Sequence, residues 1–148
     1  MIKTNEHAPV KCCRSILINS DCKKVWEVLT DINKWSRWQS DISDSNLNGE
    51  LKAGSKFIWR SGGVKIHSTL HIVEPFTEIG WTGKAPGTFA IHNWTLIEQE
   101  GKTNVTADES LEGLVPKFFK KSFSKNLEKG MQSWLELLKK ECESQATR

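Results

Sequence analysis

Apolar positions near the C-terminus recur in steps of three and four: Phe118, Phe119, Phe123, Leu127, Met131, Trp134, Leu135 and Leu138. That spacing puts them along one face of a helix and predicts a single amphipathic helix over residues 114–142. At ~1.5 Å per residue it would run roughly 40 Å, so it needs a broad surface to lie on. Pro116 suits a first helical turn, although neither Leu114 nor Val115 is a capping residue.

Upstream, from 47 to 111, the period changes to two, the mark of antiparallel strands with one buried face. Turn residues at Ala53-Gly54, Gly62-Gly63, Glu74-Pro75-Phe76-Thr77, Ala85-Pro86-Gly87 and Glu100-Gly101 divide the stretch. The strands they delimit are 44–50, 55–61, 64–73, 78–84, 88–98 and 103–112. A further strand over 10–18 precedes them, giving seven. Asn19-Ser20-Asp21 then offers helix caps, and Val25, Trp26, Val28, Leu29 and Ile32 follow at helical spacing. A second short helical turn is expected over 32–38, ahead of a loop. The whole reads as one domain over 1–148, with a mobile N-terminal segment at 1–9 that includes His7, and a polar tail at 143–148. A long meander curls through strand twist, and the terminal helix can fill its concave side.

Turn lengths set the register. A two-residue Gly62-Gly63 turn places Trp59 opposite Ile66 and Phe57 opposite Ser68. A four-residue connection over 74–77 pairs Val73 with Glu78, Ile72 with Ile79 and Leu70 with Trp81. A two-residue Glu100-Gly101 turn pairs Leu96 with Val105, Trp94 with Ala107 and His92 with Glu109. All three hairpins send their apolar set to one face: Phe57, Trp59, Ile66, Ser68, Leu70, Ile72, Ile79, Trp81, Gly83, Ala90, His92, Trp94, Leu96, Val105, Ala107, Glu109 and Leu111. Ser68, Gly83, Ala90 and Ala107 are small, so part of this face should be poorly filled. Gly130, in mid-helix, marks either close sheet contact or open space, at a cost of ~1 kcal/mol relative to Ala.

Composition narrows the picture. The 148 residues, 37% hydrophobic, can bury a core without disulfides or metals. The opening residues are polar and no run approaches the ~20 apolar residues of a membrane span, so a soluble, cytoplasmic protein without stable membrane insertion is expected. Cys12, Cys13, Cys22 and Cys142 lack metal-ligand spacing and read as reduced thiols. A formal charge of +3 gives no argument for nucleic acid. Seven Trp and no Tyr point to an extensive apolar lining, of a core or of a pocket.

The segment 18–38, with Val25-Trp26, Leu29-Thr30-Asp31 and Trp35-Ser36-Arg37-Trp38, resembles the opening of the polyketide cyclase/dehydrase and lipid-transport proteins of the START-like superfamily. So do Gly54-Ser55-Lys56-Phe57-Ile58-Trp59, Ile79-Gly80-Trp81-Thr82-Gly83, Ala90-Ile91-His92-Asn93-Trp94 and Glu109-Ser110. The resemblance implies an α+β helix-grip fold: a curved seven-stranded antiparallel sheet around a long C-terminal helix, two short helices between strands 1 and 2, and a cavity between sheet and helix. It implies no single reaction, because similar proteins bind or transform different ligands.

His92 and Glu109 are the sharpest chemical signal. Opposed residues on neighbouring strands sit ~5 Å apart, within reach of an imidazole–carboxylate contact. Such a pair can fix sheet register, hold the polar end of a ligand, or move protons. His67 and His71 should lie on the opposite, convex face, ~13 Å apart and unable to share a metal. Trp26, Trp35 and Trp38 read as packing residues, with pocket gating as the competing role. Lys117, Lys120, Lys121, Lys125 and Lys129 read as a solvated helix face, with attraction to an anionic membrane or head group as the other possibility. No nucleophile elbow, phosphate loop, dinucleotide fingerprint or zinc motif is present, Ser110 should face away from Glu109, and only Arg14 or Arg60 could assist the pair.

The expected function is binding of a mainly apolar or aromatic small molecule, without metal or cofactor. The expected lining is Phe57, Trp59, Ser68, Leu70, Trp81, Ala90, His92, Trp94, Ala107, Glu109, Phe118, Phe119, Phe123, Met131 and Trp134. One alternative is a cyclase or dehydratase-type enzyme using His92 and Glu109 as acid and base. Another is an interaction module resembling the chaperone activators, which requires a filled core and an exposed apolar patch.

Overall fold

The computed structural model describes residues 1–146. β1 (Val10–Ile18) leads into α1 (Cys22–Thr30) and a short 3-10 helix (Ile32–Arg37). Five strands of the meander follow: β2 (Ile42–Leu47), β3 (Lys56–Ser61), β4 (Val64–Glu74), β5 (Glu78–Ala85) and β6 (Thr88–Gln99). The chain then adds β7 (Lys102–Glu112), a single-turn helix α2 (Leu114–Phe118) and the long α3 (Lys120–Ala146). The seven strands form one curved antiparallel sheet in the order β1-β7-β6-β5-β4-β3-β2. This is the helix-grip arrangement. Among the described residues no helix is long and apolar enough to cross a membrane.

Local chemistry explains the first crossover. Asp21 caps α1 by accepting the Lys24 N–H at 2.8 Å, and the Trp35 indole N–H donates to the Leu29 carbonyl at 2.9 Å. That bond satisfies a carbonyl near the end of α1 and pins Trp35, which is fully buried, at the centre of the concave face. Its ring meets those of Phe57, Trp59, Trp81 and Trp134 at centroid distances of 5.6, 5.5, 5.4 and 5.2 Å. Trp38 packs on Trp134 and Trp26 on Phe76, so the tryptophans of this region brace the core.

Two hairpins have the register their turn lengths predict. Gly62 and Gly63 both adopt positive φ (56° and 82°), and so do Glu100 and Gly101 (53° and 78°). Both are tight two-residue turns matched to strand twist. Trp59 accordingly faces Ile66, and His92 faces Glu109. The β4–β5 hairpin differs near its turn. Its loop has three residues, with Phe76 at φ 66°, so Glu74 pairs with Glu78 and Val73 with Ile79. A bulge between Leu70 and Ile72 absorbs the offset, and Leu70 still faces Trp81. Val73 therefore packs on the core in place of Ile72, which lies opposite Gly80.

The C-terminal helix also departs from expectation. It is broken at Phe119, whose backbone (φ −117°, ψ 39°) leaves the helical region, and it continues past Cys142 to Ala146. Of the expected tail, 143–146 is thus helical, while 147–148 lie outside the described residues. Met131, Trp134, Leu135, Leu138 and Cys142 are buried, but Phe118 and Phe119 are 73% and 61% exposed. Periodicity identifies residues that share a helix face; it does not show how far the sheet extends beneath them.

Residues 2–5, expected to be mobile, are fastened to the convex face. Thr4 Oγ1 donates to Asp108, the Asn5 N–H to Ser110 Oγ, and the Asn5 side-chain amide to Glu112. Ser110 does point away from Glu109, and this strap buries it.

Candidate functional site

Between β3–β7 and α3 lies a cavity of about 220 Å³. Its sheet side is formed by Trp59, Ser61, Ile66, Trp81, Gly83, Ala85, Thr88, Ala90, His92, Glu109 and Leu111. Asn126, Leu127, Gly130, Met131 and Trp134 of α3 close the other side. The position follows from residue size. Gly83, Ala85 and Ala90 leave the sheet low, and a Cβ placed on Gly130 would have no atom within 4 Å. Of the two readings of that glycine, open space is the one observed. A shallower groove bounded by Asp41, Gly62, Phe123, Lys129 and Ser133 shares Ser61, Ile66, Leu111, Asn126, Leu127 and Gly130 with the cavity and opens it to the outside.

Seven of the residues expected to line a pocket do so: Trp59, Trp81, Ala90, His92, Glu109, Met131 and Trp134. Phe57, Ser68, Leu70, Trp94 and Ala107 face the concave side but are buried in the core and do not border the cavity. Trp35 covers Phe57, Trp134 covers Trp94 at a centroid distance of 5.4 Å, and Ser68 accepts the Trp59 indole N–H at 2.9 Å. Phe123 borders only the outer groove, and Phe118 and Phe119 face solvent. Asn126 escaped the sequence reading because it is polar, although it lies three residues after Phe123 and four before Gly130, on the same helical face. Ser61, Ala85 and Thr88, at strand ends, carried no signal beyond their alternation.

The ionisable side chains of the cavity lining are the cross-strand pair. His92 Nδ1 lies 2.8 Å from Glu109 Oε1, with the side chains only 5% and 14% exposed. The oxygen is within contact distance but out of line with the ring N–H, and Nε2 has no hydrogen-bond partner among the described residues. The imidazole is held by aromatic rings, stacked on Trp94 at 5.2 Å and tilted against Trp81 at 4.8 Å. A carboxylate at one nitrogen favours a proton there and leaves the other free for a ligand group. Glu109 is also flanked on β1 by Cys12, whose thiol is pushed up by burial. Neither arginine expected as a possible assistant lines the cavity: Arg14 pairs opposite Ala107, and Arg60 forms a surface ion pair with Asp44 at 3.6 Å. Among the described residues no group of three or more His, Cys, Asp or Glu could hold a metal ion.

Fold and cavity together define a helix-grip protein with an internal pocket. Residues 9–143 match the family described as polyketide cyclase / dehydrase and lipid transport, and the chain belongs to that family. A comparison with curated proteins finds no match. Among solved structures it is similar to the ZhuI aromatase/cyclase from Streptomyces sp. R1128, with a TM-score of 0.82 at 13% identity over 92% of this chain and 94% of that one. The hypothetical protein jhp0584 from Helicobacter pylori gives 0.81 at 18% identity over 93% and 95%. A START superfamily protein from Mycobacterium smegmatis gives 0.79 at 10% over 90% and 97%. Identities this low establish the shared fold alone.

Proposed function

We propose that the protein binds a small, mainly apolar molecule, with one or two rings and a single polar group, in the cavity between sheet and α3. The observation that carries this is a buried His92–Glu109 pair, with an unpartnered imidazole nitrogen, set in a largely aromatic and aliphatic wall whose other polar side chains, Ser61, Thr88 and Asn126, are uncharged. Leaving a buried polar atom without a partner costs about 1–3 kcal/mol, a cost that a ligand hydrogen bond removes. A volume of about 220 Å³ lies between the ~150 Å³ that accepts benzene and the ~300 Å³ at the lower end of drug-sized pockets. Larger ligands would extend through the outer groove. Four free cysteines support a reducing compartment, and the cytoplasm is part of the proposal.

Native mass spectrometry of freshly purified protein tests the proposal. A retained small-molecule mass, or a thermal shift with compact aromatic alcohols, phenols or carboxylic acids, is expected. No retained mass and no shift across a broad apolar library would overturn it.

A second function is favoured by the same pair and by the likeness to the ZhuI aromatase/cyclase. In it, His92 and Glu109 exchange protons with a bound polyketide-like substrate. His92→Ala would then abolish turnover while binding stays measurable. The chaperone-activator alternative gains one of its two requirements, an exposed apolar patch at Leu114, Phe118 and Phe119, but the cavity replaces the filled core it also needs.

A further inference from the structure

Leu114, Phe118 and Phe119 project from α2 and the break before α3, 66%, 73% and 61% exposed. Lys117, Lys120, Lys121, Lys125 and Lys129 are interleaved with them or follow at helical spacing, all exposed. Within 114–131 these five lysines face one acidic residue, Glu128, for a net +4, whereas the whole chain carries only +3. The rest of the protein is therefore slightly negative, and its positive charge is gathered on this face. Among the described residues none of the five lysines forms an ion pair.

We propose that α2 and the first turns of α3 form a docking surface for an anionic lipid bilayer. Large rings and a leucine alternating with ammonium groups match a surface whose phosphates lie at one depth and whose acyl carbons begin just below. A nucleic acid would leave the phenyl rings without an apolar partner. A protein partner would need an acidic rim around an apolar hollow, a more specific complement than the charge pattern requires. Phe123 and Lys129 border the groove that opens the cavity, so docking would set the cavity entrance against the membrane, where apolar molecules partition. This surface does not depend on what the cavity holds.

Vesicle flotation tests the proposal. Purified protein is mixed with phosphatidylcholine vesicles, with or without phosphatidylglycerol as a minor component. Wild type should float with the anionic vesicles, stay behind with the neutral ones, and dissociate as salt is raised. The variant K120Q/K121Q/K125Q should bind about a hundredfold more weakly, at about fivefold per lysine. The variant F118S/F119S should lose about tenfold, through lost apolar burial. All five positions are exposed, so circular dichroism and melting temperature should match wild type in both variants. Failure to float with anionic vesicles, equal binding to neutral ones, or variants that bind like wild type would overturn the proposal. So would sedimentation showing a wild-type dimer that F118S/F119S converts to monomer, since the face would then belong to a second copy. Neither variant should change what native mass spectrometry finds in the cavity, which keeps this proposal distinguishable from the ligand-binding one.

Discussion

His92 Nδ1 and Glu109 Oε1 stand 2.8 Å apart across β6 and β7, in a cavity wall whose other polar side chains, Ser61, Thr88 and Asn126, are uncharged. Two strands joined by a tight turn make this contact, so it is present before any ligand arrives. A charge-assisted hydrogen bond to a ligand contributes about 1.5–3 kcal/mol. His92→Ala and Glu109→Gln should therefore each weaken a compact aromatic ligand bearing a hydroxyl or carboxyl by about 10–100-fold. An apolar ligand of the same size should change by about threefold or less. Tryptophan fluorescence titration of both ligand types makes the comparison. Equal losses for the two would assign the pair to sheet register rather than to ligand orientation.

Gly130 controls the volume of the pocket. Its Cβ would meet nothing within 4 Å, and its φ is not among the positive ones, so a side chain is sterically admissible. Gly130→Ala should stabilise the protein by up to about 1 kcal/mol through helix propensity alone. Gly130→Leu should fill the space, keep or raise the melting temperature, and abolish binding of the same aromatic probe. Unfolding by the leucine variant would show that the helix lies too close to the sheet to leave open space at Gly130.

The strap on the convex face should respond to pH. The Ile2 N–H donates to His71 Nδ1 at 3.1 Å, His71 Nε2 contacts Asn93 Oδ1 at 2.8 Å, and the Asn93 amide donates to the Ile2 carbonyl at 2.8 Å. This ring closes only with a neutral His71 protonated on Nε2, because a proton on Nδ1 would face the Ile2 N–H. Burial lowers the His71 pKa below its usual 6.5; the Asn93 bond opposes that shift and the N-terminal ammonium group adds to it. Between the lowered value and 6.5 the unfolded chain binds more protons than the folded one, so stability falls as pH falls through this window and is fully present above it. The intrinsic rate of amide exchange itself falls on acidification; relative to it, exchange at residues 2–5 should show a growing excess as pH falls through this window. His71→Gln should remove that excess, and an unchanged profile in the variant would refute the coupling.

Glu100 occupies a left-handed conformation (φ 53°) in the β6–β7 turn, where its Cβ is disfavoured by about 1 kcal/mol. Glu100→Asn should raise the unfolding free energy by several tenths of a kcal/mol up to about 1 kcal/mol in urea titrations, with an unchanged m-value. A loss of stability would mean that the glutamate makes a contact worth more than the strain.

Much of the fold was legible in the chain because its cues are local. Period-two alternation and the turns Gly62-Gly63 and Glu100-Gly101 were sufficient to place Trp59 against Ile66 and His92 against Glu109, and both pairings are observed. A turn of given length permits one register, and one face must be apolar, so short-range information decides the pairing. The same cues failed at the β4–β5 turn, where a loop one residue shorter than expected, offset by a bulge in β4, exchanged Ile72 for Val73 at the core. They failed again at Phe119, where an unbroken apolar period conceals a break in the helix.

Only the tertiary structure decided where the cavity is. Phe57, Leu70 and Trp94 belong to the same sheet face as Trp81 and His92, yet Trp35 and Trp134, from elements remote in sequence, fill that end with their rings. The other end stays open because Gly83 and Ala90 lie across from Gly130. A strand's alternation specifies which way a side chain points, but a void is the difference between volumes contributed by distant segments, and no local pattern encodes that difference. For the same reason the helical spacing that groups Phe118 and Phe119 with Met131 and Trp134 could not show that these two rings point to solvent.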